Sequence, residues 1–350
     1  MNLLIVTQKV DENDQLLGFF IEWLKLFAKK FEKVTILCLE KSEYNLHENV
    51  SVISLGKDRG VSKLRQLFNF YFLIFTLRTE YHSVLVHMNP IWAALGGIVW
   101  KILNKKLYLW YTHKSVTLKL KIAEKFTNKI FTASPESFRW EKDYLIKSGK
   151  LIITGHGIDT ELFKPSNQPK LEPEKLKILS VGRIAPVKNY ETLIEAAKIL
   201  KDKGVDFKVT MVGEAPLNSD VLYLASLKLR IKSLKLEENF DFIGKINHKE
   251  LPKYYQSHDI FVHLSKTGSL DKVVLEAMAC GIKVLSSNDS SRTFLPDNLI
   301  FGDINPAELA DKVTAVKDLP VDPKLRNYVV QNHNLENLIL KISDIIINYK

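Results

Sequence analysis

Arg183 and Lys188 lie in the stretch SVGRIAPVKNYETLIEAAKIL, residues 180–200, where an apolar run ending in Val181 stops at Gly182 and a loop leads into a helical pattern. Two fixed cations therefore sit where a strand hands over to a helix. In open α/β sheets ligands bind outside the carboxyl ends of the strands, where helix N-termini add unpaired backbone N–H groups and a favourable dipole. An anion at this place gains from amides, dipole and both side-chain charges at once, so a phosphate or diphosphate is its natural guest.

A second stretch, DKVVLEAMACGIKVLSSN at residues 271–288, carries Glu276 among Val273, Val274, Leu275, Ala277 and Met278. A carboxylate in such company is costly to bury unless partnered. Two hydroxyls on adjacent ring carbons, as on a nucleotide ribose, satisfy one carboxylate in a bidentate way; an ordinary bond to helix backbone, or a solvated edge, is the plainer alternative. Apolar spacing at Tyr190, Leu193, Ile194, Ala197 and Leu200 predicts the first helix, with Asn189 as its N-cap. A second helix is expected over Val273 to Cys280, ended by Gly281 and followed by a strand from Ile282 to Ser286.

The glycine-arginine loop with its downstream lysine, the phrase LEAMACG with its following strand, and GHGIDTELFKP at residues 155–165 together resemble the retaining, GT-B-fold glycosyltransferases of family 4, the glycosyl transferases group 1. The resemblance is strongest from about residue 150 to 290. It implies two Rossmann-like, doubly wound parallel-sheet domains facing one another across a cleft. It also implies that Arg183 and Lys188 stabilise a departing diphosphate, with Gly182 beside it, and that Glu276 clamps the donor ribose.

The chain departs from that family in the loop before Glu276, at His156, and at Gly18, where one glycine stands in place of a frequent pair. Where the family has a glutamate that contacts the donor sugar, this sequence has Gly268, inside KTGSLDK. Either Asp271 supplies the missing carboxylate while the amides of Gly268 and Ser269 approach the donor closely, or Asp271 is only the N-cap of the helix that carries Glu276. Gly18 opens the first long helix after QKVDENDQLL, and its amide is a candidate for the diphosphate; a glycine needed only for packing is the other reading. Three histidines end strands: His87, His113 and His156. His113 best matches the family histidine beside the donor sugar, whereas His156 stands where the family more often has asparagine.

Positioning these residues requires two alternating series of strands and helices. The first runs from LLIVT through KVTILCLE, SVLVH, KLYLWYTH and KIFTAS to LIITG, and the second from KILSVG through VTMVG, FDFIG and IFVHLS to KVLSS. Such alternation means parallel, doubly wound sheets. The expected domains are 1–165 on the acceptor side and 176–330 for the nucleotide sugar, joined by a proline-rich linker at 166–175. By resemblance, a last helix over 335–350 returns to the first domain.

With 350 residues, 46% hydrophobic and 26% charged, the chain is long enough for two such cores and has the composition of a soluble globular protein. Cys38 and Cys280 both lie in apolar runs and read as small core residues, which fits a reducing, cytoplasmic setting. The apolar segments FNFYFLIFTL at 68–77 and IWAALGGIVWKIL at 91–103 are too short to span a bilayer and read as buried helices. Bases flank both, and eight lysines against the lone acid Glu124 lie between Lys101 and Lys129, within a net charge of +10. That leaves room for peripheral contact with an anionic membrane at its inner face, or for a solvated lysine surface. No recognition motif for nucleic acid accompanies the charge.

The expected function is transfer of a sugar, with retention, from a nucleotide-diphosphate sugar to a glycan or lipid-linked acceptor in cell-surface polysaccharide or glycolipid synthesis. The alternative is a catalytically degenerate protein of the same fold that binds a nucleotide sugar or a partner subunit. No metal-ligand spacing is present and no cofactor is expected beyond the donor substrate, since Arg183 and Lys188 supply the positive charge a metal would.

Overall fold

The computed structural model of the chain describes residues 1–14, 16–167, 175–265, 269–302 and 305–349. The polypeptide divides into two compact units, one of residues 1–157 with 333–350 and the other of residues 158–332.

The first unit runs β1 (Asn2–Val10), α1 (Phe20–Ala28), β2 (Lys33–Lys41), β3 (Val50–Ser54), α2 (Lys63–Thr76), β4 (Ser83–His87), α3 (Pro90–Ile102), β5 (Lys106–Trp110), α4 (Leu118–Phe126), β6 (Lys129–Thr132), α5 (Lys142–Lys147) and β7 (Leu151–Ile153). The second continues with β8 (Leu176–Val181), α6 (Tyr190–Asp202), β9 (Phe207–Val212), α7 (Asn218–Ser233), β10 (Phe240–Gly244), α8 (Leu251–Ser257), β11 (Ile260–His263), α9 (Lys272–Ala279), β12 (Lys283–Ser286), α10 (Pro306–Val316) and α11 (Pro323–His333). The final helix, α12 (Leu335–Asn348), belongs to the first unit.

Every strand pair is parallel. The seven-stranded sheet has the order β3-β2-β1-β4-β5-β6-β7 and the five-stranded sheet β10-β9-β8-β11-β12. In each, the strand order reverses beside the first strand, between β1 and β4 and between β8 and β11. This is the switch point at which diverging connections leave a crevice at the strand ends.

Burial explains the sequence of β1. Leu3 and Ile5 pack with α1 and α12 on one face, while Leu4 and Val6 pack with α2 and α3 on the other. A strand covered on both faces is apolar at consecutive positions rather than alternating ones. α12 contributes Leu335, Leu338, Ile339, Ile342 and Ile346 to the core that holds Phe20, Trp23 and Phe27 of α1.

The first unit closes at Gly157 rather than at 165. Ile158 and Phe163 are buried in the second unit's core, and Arg326 of α11 donates to the carbonyls of Thr160, Phe163 and Ala279. Of the expected linker, 168–174 lies outside the described residues.

The two long apolar segments are not the buried helices their composition suggests. α2 buries Gln66, Phe70 and Ile74, while Leu64, Phe68, Phe72 and Phe75 are exposed, the last three at 57% each. A helix resting on a sheet has one inward stripe, so a largely apolar segment of ten residues cannot all face inward. α3 buries six residues, among them Trp92 and Trp100, but leaves Ile98 and Ile102 exposed. Among the described residues no helix is long and apolar enough to cross a membrane.

At the end of β9, Gly213 has φ +142°, and a Cβ there would lie 2.0 Å from the carbonyl oxygen of Gly182. Both the torsion and the close approach demand glycine. We expect Gly213→Ala to destabilise the protein by more than about 2 kcal/mol in urea unfolding, against about 1 kcal/mol for Gly204→Ala, whose positive φ meets open space.

Candidate active site

The strands β8, β11 and β12 end side by side in the second unit, and their last residues are Val181, His263 and Ser286. Gly182 follows β8 with φ +152°, its N–H bonded to Val212 O at 2.9 Å and its carbonyl receiving the Tyr190 hydroxyl at 3.3 Å. From there the chain passes Arg183, makes a short 3-10 turn over Pro186–Lys188, and enters α6 through Asn189.

Asn189 does not cap α6 with its side chain. It takes φ +50°, ψ +45°, and its Nδ2 bonds Thr192 Oγ1 at 2.8 Å. The Tyr190 N–H is met instead by the hydroxyl of Tyr223 on α7 at 3.1 Å, and that hydroxyl donates to Glu191 Oε2 at 2.5 Å. A left-handed residue turns the loop back sharply, so a cap from a neighbouring helix replaces the local one.

Arg183 is exposed, and its guanidinium has no hydrogen bond or ion pair among the described residues. Lys188 is half-buried, with its Nζ 2.5 Å from Asp271 Oδ2. The same Oδ2 lies 2.9 Å from Nε2 of His263, whose side chain is 2% exposed. Removal from water works against the Asp271 charge, but the His263 bond and the Lys188 charge outweigh it and hold the carboxyl far below the usual carboxylate range. Burial also keeps His263 below its ordinary value, against the pull of Asp271.

Asp271 stands at the N-cap position of α9 yet makes no side-chain cap bond. Of the two sequence readings, the cap through the side chain is therefore absent. Gly268 lies outside the described residues. Ser269 is half-buried, and its carbonyl receives Asn288 Nδ2 at 3.0 Å, which ties this loop to the turn after β12.

Glu276 is 2% exposed, neither solvated nor bonded to helix backbone by its carboxylate. Its Oε1 lies 2.9 Å from His248 Nε2, and its Oε2 receives the Tyr255 hydroxyl at 3.3 Å. Burial opposes its charge, but His248, Lys272 and the Tyr255 bond overcome this and keep the carboxyl below its ordinary value.

In the first unit, Gly18 lies in the turn before α1 with its N–H donating to Asp14 O at 2.8 Å. A Cβ there would sit 2.5 Å from that oxygen, so the glycine is required by the close turn, and its amide is engaged within the chain. His113 follows β5, exposed, with its ring edge-on to Tyr111 at 5.5 Å. His87 is buried, stacked on Phe20 at 3.9 Å with Nδ1 3.2 Å from Thr7 Oγ1. The His156 N–H donates to Nδ1 of His333 at 3.1 Å.

The fold therefore joins Gly182, Lys188 and Asp271 in one cluster, places Arg183 at its exposed rim, and keeps Gly18 and His113 in the other unit. The sequence reading missed His263 and His248. His263 ends β11 just as His87 ends β4, in IFVHLS, and that position was the available signal, whereas the expected strand ends at His113 and His156 fall three residues earlier, at Trp110 and Ile153. Among the described residues no group of His, Cys, Asp and Glu is arranged to hold a metal ion.

Residues 163–335 match the family described as glycosyl transferases group 1. The amylovoran biosynthesis glycosyltransferase AmsK of Erwinia amylovora is 31% identical over 173 residues, 48% of this chain and 41% of that protein's own length. An uncharacterized protein in the cps region of Klebsiella pneumoniae is 24% identical over 310 residues, 81% of each chain. Among solved structures, HepE of Anabaena in complex with UDP superposes with a TM-score of 0.78 at 18% identity, covering 99% of both chains. At that identity the likeness carries the fold, the two-domain α/β class of the GT-B proteins.

His333 is 3% exposed, and burial pushes its imidazole down to about 4. Its Nδ1 accepts the His156 N–H, which requires the unprotonated nitrogen. Because the folded value lies below the unfolded value of about 6.5, the unfolded chain takes up the proton first. Stability is therefore full above about pH 6.5 and lost as pH falls toward 4, by up to roughly 3 kcal/mol. Urea unfolding between pH 7 and pH 4.5 checks this, and His333→Asn, which keeps an acceptor near Nδ1, should flatten the dependence.

Proposed function

We propose that this chain, a member of the glycosyl transferases group 1 through residues 163–335, transfers a sugar from a nucleotide-diphosphate sugar to a glycan or lipid-linked acceptor. The observation that carries this reading is the pair Arg183 and Lys188 at the carboxyl end of β8, beside the switch point of the second sheet. A leaving diphosphate gathers negative charge as the anomeric bond breaks. Cations fixed beside it stabilise the transition state more than the ground state, and loss of one such group commonly lowers the rate about a hundred- to a thousandfold.

Several features support the individual roles. Among the described residues Arg183 has no ion pair, and the fork geometry of its guanidinium suits phosphate oxygens. Glu276 is the candidate for the ribose hydroxyls, taken up by displacing His248 from Oε1. His113, exposed after β5, is the candidate for contact with the donor sugar. We assign the transfer a retaining course, with the leaving phosphate taking the acceptor proton on the same face, and a chemistry driven by side-chain cations rather than a metal. Polysaccharide synthesis as the setting rests on the Erwinia relative, whose name places it in amylovoran biosynthesis.

The acceptor side is proposed to work at an anionic membrane surface. Leu64, Phe68, Phe72 and Phe75 form an exposed apolar stripe on α2 with Arg65 5.1 Å from the Phe68 ring and Arg78 4.6 Å from the Phe75 ring. The Tyr71 hydroxyl bonds Leu95 O at 3.1 Å and so joins α2 to α3, where Ile98, Lys101 and Ile102 are exposed. Aromatic side chains rimmed by cations match the interface of acyl chains and anionic headgroups.

Two measurements test the reading. In a panel of nucleotide sugars, one donor should raise the melting temperature and release its nucleotide slowly, and Arg183→Ala and Lys188→Ala should each cut transfer at least about a hundredfold without unfolding the chain. Stabilisation without release in the wild-type protein would point instead to a binding protein, the reading that Gly268 in place of a glutamate favours. In flotation, the protein should rise with vesicles containing phosphatidylglycerol but not with pure phosphatidylcholine, less so in about 0.5 M salt, and not after Phe72→Asp. Binding to neither vesicle would remove the membrane contact alone.

A further inference from the structure

The Lys188–Asp271 pair is one end of a longer chain of hydrogen bonds. Behind Asp271 stands His263 at 2.9 Å, and behind His263 stands Ser286, with Oγ 3.4 Å from Nδ1. His263 and Ser286 are register partners on the adjacent strands β11 and β12, so the sheet itself sets their spacing. The Ser286 oxygen in turn lies 2.9 Å from Ser291 Oγ and receives the Asn288 N–H at 3.2 Å.

The bonding rules assign each proton. An ionised carboxylate only accepts, so His263 carries its proton on Nε2 and gives it to Asp271. A neutral ring then presents Nδ1 as an acceptor, which the Ser286 hydroxyl fills. Ser286, having donated, accepts from Ser291 and from Asn288. The residue is only 2% exposed and burial pulls the ring's value down, so a second ring proton is disfavoured. The direction of donation therefore runs Ser291, Ser286, His263, Asp271, with Lys188 donating to the same Oδ2 from the opposite side.

We propose that His263, held as the neutral Nε2–H tautomer by Ser286, is a positioning residue that fixes Asp271 and through it holds the Lys188 ammonium ready for a diphosphate. A lysine is a point charge on a flexible four-carbon stem, and its placement loses side-chain entropy unless something pins it. Asp271 takes one of the three ammonium protons and leaves two for phosphate oxygens. His263 shares the carboxylate's charge so that Lys188 is not drawn wholly into a closed ion pair. Asp271 thus acts on the lysine rather than as a stand-in for the sugar-contacting glutamate.

The inference rests on the proposed diphosphate site, and its test separates the two. Imidazole nitrogen NMR on the intact protein, with His263→Gln for assignment, should show a neutral Nε2–H ring for His263 at about pH 7.5. An Nδ1–H or charged ring overturns the proposal whatever the enzyme does. Calorimetric titration with UDP and with inorganic pyrophosphate forms the second arm. His263→Leu should weaken binding at least about fivefold and lower the melting temperature, since it removes a partner of the Asp271 carboxylate, and His263→Gln, whose amide N–H reaches where Nε2–H does, should recover both, the affinity to within about twofold. Wild-type affinity in His263→Leu, or equal loss in both variants, overturns the positioning role. Absence of any binding by the wild-type chain would sink the diphosphate reading itself, while the ring spectrum would still decide the His263–Asp271 pair.

Discussion

The ionised carboxylate of Asp271, partly withdrawn from water, is the constraint around which the second unit's site is arranged. Such a group is tolerated only with hydrogen bonds and opposite charge in place, because desolvation alone would neutralise it. Lys188 and His263 meet that requirement from two different segments, the loop after β8 and the end of β11. The loop cannot move without stranding the charge, nor can the strand. A lysine on a glycine-bearing surface loop is thereby tied to the rigid part of the sheet.

The sheet makes this possible through its topology. In a parallel doubly wound arrangement all strands point the same way, so every loop that follows a strand collects at one edge. Gly182, His263 and Ser286 stand at or just beyond the ends of β8, β11 and β12 for that reason, though they are far apart in the chain. Close approach of the β8 and β9 ends needs a residue without a side chain, and Gly213 against Gly182 supplies it. Tyr223 then reaches from α7 to the first turn of α6 and steadies the loop from its far side.

Apolar composition and burial part company in the first unit. α1 and α12 bury most of their apolar residues because two layers meet there, helix on helix over the sheet. α2 carries five aromatic residues, yet its outer stripe stands exposed, and Arg65 and Arg78 lean over the exposed rings. A helix with one covered side is amphipathic in position even where its sequence is apolar all round. This difference is invisible to a count of hydrophobic residues.

The sequence by itself determined the elements and their class: consecutive apolar residues in LLIV mark a strand covered on both faces, and the spacing from Tyr190 to Leu200 marks a helix lying on a sheet. Local periodicity is a property of neighbours in the chain, and so it survives without the fold. It also placed Arg183 and Lys188 at a strand-to-helix turn, since glycine and the change of period are both local signals. Only the tertiary structure decided what Asp271 bonds, that His263 and His248 are the partners of the two carboxylates Asp271 and Glu276, that Asn189 turns rather than caps, and that α2 shows four of its five aromatic residues to solvent. Each of these depends on which distant segment arrives at the same place, and hydrogen bonding and desolvation act through space rather than along the chain.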